Sequence, residues 1–304
     1  MCSQNCKKIL DTQMANILVT GSDGQLGREI AELTKKRASS DCYYFTDAAE
    51  LDITDALAVE TFVEKNSIDL IINCAAYNKV GEAEKQMDTA VKVNVTGPAN
   101  LAASAFKHNI YLIHFSTDYV FNGEARTPYH EADRTCPINA YGRTKYAGEV
   151  AVKKSGCMSI IIRTSWLYSP LTQDNFVRKM IGLSDYYEEI KVVCDQIGTP
   201  TYAADLAEAL LKIIPQLSKE NPIYAEVFHY SNEGKCSWAD FAEKIMSTLK
   251  IDCDIIRVTS EEYADSVRRP AYSVLDKTLI KKRFGVAVPS WERSLSKAAR
   301  LFKR

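Results

Sequence analysis

Asn16-Ile17-Leu18-Val19-Thr20-Gly21-Ser22-Asp23-Gly24-Gln25-Leu26-Gly27 opens on an apolar run, breaks at a glycine-spaced turn and passes into the polar, helix-forming stretch Leu26 to Lys36. The pattern is strand, tight turn, helix. Glycines in such a turn let the backbone approach a pyrophosphate and aim helix amides at it, where side chains would obstruct. The spacing is G-x-x-G-x-x-G, not the commoner G-x-G-x-x-G, so a turn without a ligand stays open as an alternative. Asp47 favours the ligand. It follows the strand-like run Cys42-Tyr43-Tyr44-Phe45-Thr46, about 20 residues on, where an acidic group would bind ribose hydroxyls.

Further strand-like runs follow at Asp69 to Asn73, Tyr111 to Ser116 and Ser159 to Arg163. Helix-like stretches lie between them, at Ala56 to Lys65, Asn94 to Lys107 and from Ala140 onward. This alternation predicts an α/β fold, a Rossmann-type doubly wound parallel sheet covered on both faces. After Arg163 the rhythm loosens, with a helix expected over Tyr202 to Ile214 and a strand over Glu226 to Tyr230. The expected organisation is a flexible extension over 1–15, a dinucleotide-binding domain over 16–165 and a substrate-binding lobe over 166–304, with about 190–230 returning to the sheet.

The chain has 304 residues, and Lys plus Arg (38) nearly balances Asp plus Glu (39), which gives no general electrostatic reason to expect a nucleic acid partner. No apolar run reaches the ~20 residues of a membrane helix. Nine cysteines without a repeated C-x-x-C spacing predict free thiols and a cytoplasmic protein. Cys2 and Cys6 lack partners for a four-ligand metal, and the four histidines show no ligand spacing, so no metal is expected.

Tyr141-Gly142-Arg143-Thr144-Lys145 carries the chemistry: its i, i+4 spacing puts phenol and ammonium on one helix face. A nearby ammonium should lower the tyrosine pKa and ready the phenol to protonate a carbonyl oxygen. Thr117, at the end of the strand before it, offers a hydroxyl to the same oxygen. Tyr187 and Lys191 repeat the spacing but run into a strand-like segment, and that copy reads as coincidence.

The glycine turn, Asn73-Cys74-Ala75-Ala76-Tyr77, Val93-Asn94, Ser116-Thr117-Asp118-Tyr119-Val120-Phe121-Asn122-Gly123 and Tyr141-x-x-x-Lys145 resemble the extended short-chain dehydrogenase/reductases. More narrowly, Arg163-Thr164-Ser165-Trp166-Leu167-Tyr168, Asn175-Phe176, Asp195 to Thr201 and Arg269 to Asp276 are similar, in order, to the dTDP-4-dehydrorhamnose reductase family. The resemblance implies a Thr117, Tyr141, Lys145 triad reducing a nucleotide-sugar ketone with NADH or NADPH. It places the dinucleotide against Gly21, Gly24, Gln25, Leu26, Gly27, Asp47, Asp52, Ile53, Ala75, Ala76, Tyr77, Asn94, Tyr141 and Lys145. The substrate falls to Val80, Thr117, Asp118, Tyr119, Trp166, Asn175, Gln196 and Arg269. Asp47 tilts the cofactor expectation toward NADH, and a homodimer is one option for assembly. Gly81 departs from the family, many of whose members carry an acidic residue there.

Three rivals share these features. A nucleotide-sugar 4,6-dehydratase uses a Thr-Asp-Glu run, where this chain has Tyr119; a 4-epimerase fits the D-Q-x-G-x-P-T segment poorly. The third, the regulatory subunit of methionine adenosyltransferase, is a binding protein that can retain the Y-x-x-x-K.

Overall fold

The computed structural model describes residues 14–37 and 41–302. The expectations for residues 1–13, including Cys2 and Cys6, lie outside the described residues. Ala15, assigned by sequence to the extension, is already packed in the core at 4% exposure, and its carbonyl accepts the Cys42 amide at 2.8 Å.

In chain order the first half runs β1 (Asn16–Thr20), α1 (Gln25–Lys36), β2 (Cys42–Thr46), α2 (Ala56–Lys65), β3 (Leu70–Asn73), α3 (Val80–Ala83), α4 (Met87–Val91), α5 (Gly97–His108), β4 (Tyr111–Thr117), α6 (Ala140–Ser155) and β5 (Ser159–Thr164). The second half runs β6 (Leu167–Tyr168), α7 (Phe176–Ser184), β7 (Glu189–Val193), β8 (Ile197–Gly198), β9 (Thr201–Tyr202), α8 (Ala203–Ile213), β10 (Glu226–His229), β11 (Cys236–Ser237), α9 (Trp238–Leu249), β12 (Asp254–Val258), α10 (Ser260–Tyr263), α11 (Thr278–Phe284) and α12 (Trp291–Ala299).

Six parallel strands form the central sheet in the order β10-β5-β4-β3-β1-β2. The strand order reverses between β1 and β3, which opens a crevice at their carboxyl ends. Side chains alternate between two cores. Ile17, Val19, Ile72, Ile113 and Ile160 face one, with Ile30 of α1 and Leu206 and Leu210 of α8. Leu18, Ile71, Leu112 and Ile161 face the other, with Val59 of α2 and Leu101 of α5. Burial on both faces is why these strands read as continuous apolar runs.

Of the segment expected to return to the sheet, α8 packs on α1 and β10 pairs with β5. β7 does not return: it pairs with β12, and Ile190 and Val192 sit in a separate core with Phe241, Ile245 and Leu295. The reverse holds for α11, whose Ile280 and Phe284 join the central core although its sequence position is in the lobe. The helix expected from Asn94 begins at Gly97, and Lys92–Thr96 before it forms a π-helical turn. No helix among the described residues is long and apolar enough to cross a membrane.

The lobe is organised around α9, which a capping box starts: Ser237 Oγ accepts the Asp240 amide at 3.0 Å, and the Asp240 carboxylate accepts the Ser237 amide at 2.8 Å. Ser237→Ala should lower stability by about 1 kcal/mol, as loss of an N-cap does, read from the urea midpoint. An unchanged midpoint would show that the box contributes nothing.

Candidate active site

Two glycines of the first turn have no room for a side chain. A Cβ on Gly21, which has a left-handed φ of 66°, would stand 2.5 Å from the Ala75 amide nitrogen, and one on Gly27 would stand 2.5 Å from Ser22 Cα. The turn is thereby drawn against the end of β3. Gly24 begins α1 without a side-chain cap, so no side chain competes for the amides of the first turn. Leu26 anchors the helix in the core, and the buried Gln25 Oε1 has no partner. Free amides and a backbone cradle fit a pyrophosphate group.

Asp47 lies half-buried just past β2, and hydrogen bonds led by that from the Ala49 amide bring its carboxyl down to about 2. Asp52 accepts the Thr54 amide at 2.8 Å, and Ile53 fills the space over Gly97, where a Cβ would meet its Cδ1 at 2.4 Å. Across the crevice, Asn73 Oδ1 accepts the Ala75 amide at 3.1 Å, setting the course of Ala75, Ala76 and Tyr77. Asn94 is fully buried and fully used: it accepts the Tyr77 amide at 2.8 Å and donates to the Tyr77 carbonyl at 3.0 Å and to Thr144 Oγ1 at 3.1 Å. These bonds tie the loop to α6. The π turn that carries it is a feature often found beside functional sites.

Helix α6 lies unusually close to backbone. A Cβ on Gly142 would meet the Tyr119 carbonyl oxygen at 2.2 Å, and one on Gly148 would meet that of Asn94 at 2.2 Å. This approach carries Tyr141 and Lys145 to the end of β4. The Tyr141 phenol lies beside Thr117, and its ring stands edge-on to Tyr119 with centroids 5.8 Å apart. Thr117 Oγ1 donates to Asp118 Oδ1 at 3.1 Å and accepts the Tyr119 amide at 3.2 Å. Lys145 Nζ donates to the Phe115 carbonyl at 2.6 Å.

One electrostatic expectation is overturned. Burial raises the Tyr141 phenol above its ordinary value, and Lys145 is not among the groups that shift it. The ammonium faces the β4 backbone, so it does not draw the phenol toward phenolate. Burial also brings Lys145 down to about 8, opposed by Glu149 and Cys74, and raises Asp118 to about 7. The phenol is therefore a neutral donor throughout the physiological range.

A cavity of about 380 Å³ adjoins this cluster, lined by Phe176, Lys179, Gln196, Trp238 and Arg269 among others. Arg269 joins the two, since its Nη1 lies 3.4 Å from the Tyr119 hydroxyl while its Nε donates to Asp265 at 2.8 Å. Gln196 donates to Ser260 Oγ at 2.9 Å. Trp166 has a left-handed φ of 45° and stacks on Trp238 at 3.5 Å, behind the cavity wall. Asn175 does not offer its polar atoms to the cavity: Oδ1 caps α7 through the Arg178 amide at 3.1 Å, and Nδ2 donates to the Ser169 carbonyl at 2.9 Å. Its neighbour Phe176 lines the wall instead. Val80 begins α3, half-buried, and a Cβ placed on Gly81 beside it would meet no atom within 4 Å. Lys179 and Trp238 escaped the sequence reading, because a lysine and a tryptophan on amphipathic helices carry no motif.

Gly198 makes the tryptophan stack possible, since a Cβ there would lie 2.5 Å from the Trp166 indole. Gly198→Ala should displace Trp166 and abolish the exciton signal of the stacked indoles in circular dichroism, while the secondary-structure signal persists. A retained exciton signal would show that the ring is not wedged as described.

A family model described as the RmlD substrate binding domain matches residues 14–303. The dTDP-4-dehydrorhamnose reductase of Aggregatibacter actinomycetemcomitans is 35% identical over 291 residues, which cover 93% of this chain and 97% of that protein. A solved dTDP-4-dehydrorhamnose reductase from Clostridium acetobutylicum superposes with a TM-score of 0.89 at 41% identity, covering 95% of this chain and 100% of that one. Another, from Bacillus anthracis in complex with NADP, gives 0.88 at 38% identity, covering 94% and 99%. With nearly the whole chain matched, the chain belongs to the RmlD substrate binding domain family.

Proposed function

We propose that this chain reduces the 4-keto group of dTDP-4-dehydro-L-rhamnose to give dTDP-L-rhamnose, using a nicotinamide dinucleotide. The observation that carries this reading is the desolvated Tyr141 phenol, beside Thr117 in the crevice of the sheet and linked through Tyr119 and Arg269 to a cavity for the rest of the substrate. The dinucleotide, when bound, supplies the hydride. The amides of the first turn hold its pyrophosphate, Asp47 its adenine ribose and Lys145 its nicotinamide ribose. Thr117 donates a hydrogen bond to the substrate carbonyl and polarises it, and Tyr141 gives its proton to the oxygen as charge develops there. Arg269, a rigid fork of donors, suits the diphosphate.

A binding protein can retain the same residues, so the similarity to chains named as reductases is what favours the enzyme. Oxidation of reduced nicotinamide by the purified chain, given the keto-sugar nucleotide, is the deciding assay; no oxidation would leave the binding reading. The seven free cysteines among the described residues suit a reducing, cytoplasmic setting.

Tyr141→Phe should keep dinucleotide affinity and lose turnover by ~100-fold to 10,000-fold, the usual contribution of general acid catalysis. Wild-type turnover in that variant would remove Tyr141 as the donor.

Cofactor choice rests on charge. A 2'-phosphate beside Asp47 would also face Asp23 and Glu50, and Arg28 is already paired with Asp23 at 2.8 Å. NADH should therefore give the higher kcat/KM, and Asp47→Asn should narrow the difference. A clear preference for NADPH in the wild type would mean that Asp47 does not meet the ribose.

A further inference from the structure

Beneath the catalytic helix lies an ion pair that the reaction as described does not use. Glu149 has no exposed surface and Arg163 is 2% exposed. Their contact is bidentate, with Arg163 Nε donating to Glu149 Oε1 at 2.8 Å and Nη2 to Oε2 at 2.7 Å. The arginine is fixed in turn. Its guanidinium lies 5.2 Å from the centre of the Phe121 ring, and Nη1 is 3.4 Å from His229 Nε2. His229 Nδ1 faces the Tyr129 carbonyl at 3.1 Å, which can only accept, so Nδ1 carries the proton and Nε2 receives the arginine. Burial and Arg163 hold this imidazole down at about 3, so it stays neutral.

A buried ion pair is a poor source of stability, because well-packed apolar side chains of similar volume serve as well or better. What apolar side chains cannot supply is a fixed negative charge. Glu149 stands four residues after Lys145, on the same face of α6. Lys145 is 3% exposed and makes one hydrogen bond, to the Phe115 carbonyl. The groups around it are Cys74 after β3, His114 on β4, and Glu149 on its own helix. Burial keeps the Cys74 thiol protonated and the His114 imidazole neutral. Glu149 is thus the carboxylate that favours the ammonium.

We propose that Glu149, held in place by its bidentate contact with Arg163, is a positioning residue that keeps the Lys145 side chain charged and aimed at the dinucleotide ribose. The second half of that statement rests on the assignment of Lys145 made above; the first half does not. Lys145 is charged below about 8 and loses its proton as pH rises through that value. Removing Glu149 removes the influence that opposes desolvation, so the transition moves to lower pH.

The test is an NMR titration of the Lys145 side chain in protein labelled at the lysine ε-carbon, with the signal assigned by Lys145→Arg. Glu149→Gln alone strands a buried guanidinium and can fail to fold for that reason. The double variant Glu149→Gln, Arg163→Met removes both charges, and Glu149→Asp retains a carboxylate. The double variant should fold and titrate about one pH unit below wild type, of the order expected for a buried partner charge, with Glu149→Asp in between. The pH above which dinucleotide affinity declines should move down with it. A folded double variant whose Lys145 titrates as in wild type overturns the proposal and leaves the pair a packing element. A wild type that binds no dinucleotide would defeat the functional reading instead, and the titration of the free protein would still decide the role of Glu149.

Discussion

The closeness of α6 to the chain beneath it is the constraint on which the site depends. Gly142 and Gly148 let the helix rest on the carbonyls of Tyr119 and Asn94, and no larger residue fits either position without moving backbone. Everything on that face follows. Tyr141 reaches Thr117, Lys145 reaches the backbone of β4, and Glu149 reaches Arg163 on β5. Asn94 adds a lateral tie, fastening the loop after β3 to Thr144 on the same helix. A helix standing an ångström further off would carry the same residues and leave the phenol short of its partner.

Burial then shifts the cluster in a consistent direction. Tyr141, Asp118 and Cys74 hold their protons more tightly than in water, while Lys145 and His114 hold theirs less tightly. Each shift favours the neutral form, as a site from which water is largely excluded requires. Such a site suits hydride transfer, because a neutral phenol becomes a strong donor only when negative charge appears on the oxygen it faces. The balanced net charge of the chain says nothing of this, since the relevant charges are few and local.

The central sheet was legible because its strands are buried on both faces and so appear as apolar runs, and the triad because Tyr141 and Lys145 share a helix turn. Other features depend on tertiary placement. Glu189–Val193 and Glu226–His229 are both short strand-forming segments, and nothing local says that one joins the lobe and the other the main sheet. Thr278–Phe284 returns to the central core through Ile280 and Phe284, a pairing across most of the chain. Asn94 and Asn175 look like ligand-binding amides in sequence, yet each is consumed by backbone partners that only the fold brings near. The cavity wall was hidden for the same reason: Lys179 and Trp238 come from different helices and face one space only once α7 and α9 are packed.

The path of the chain between sheet and lobe has a consequence for how the protein is made. β5 leaves the sheet at Thr164, the chain builds part of the lobe, and only then do α8 and β10 return to cover α1 and to pair with β5. A nascent chain therefore exposes the apolar edge of β5 until residue 229 has emerged from the ribosome, and α11 must follow before that side of the sheet is covered. Synthesis from the N-terminus thus cannot finish one half before starting the other, and the order of translation leaves an unpaired strand waiting for its neighbour.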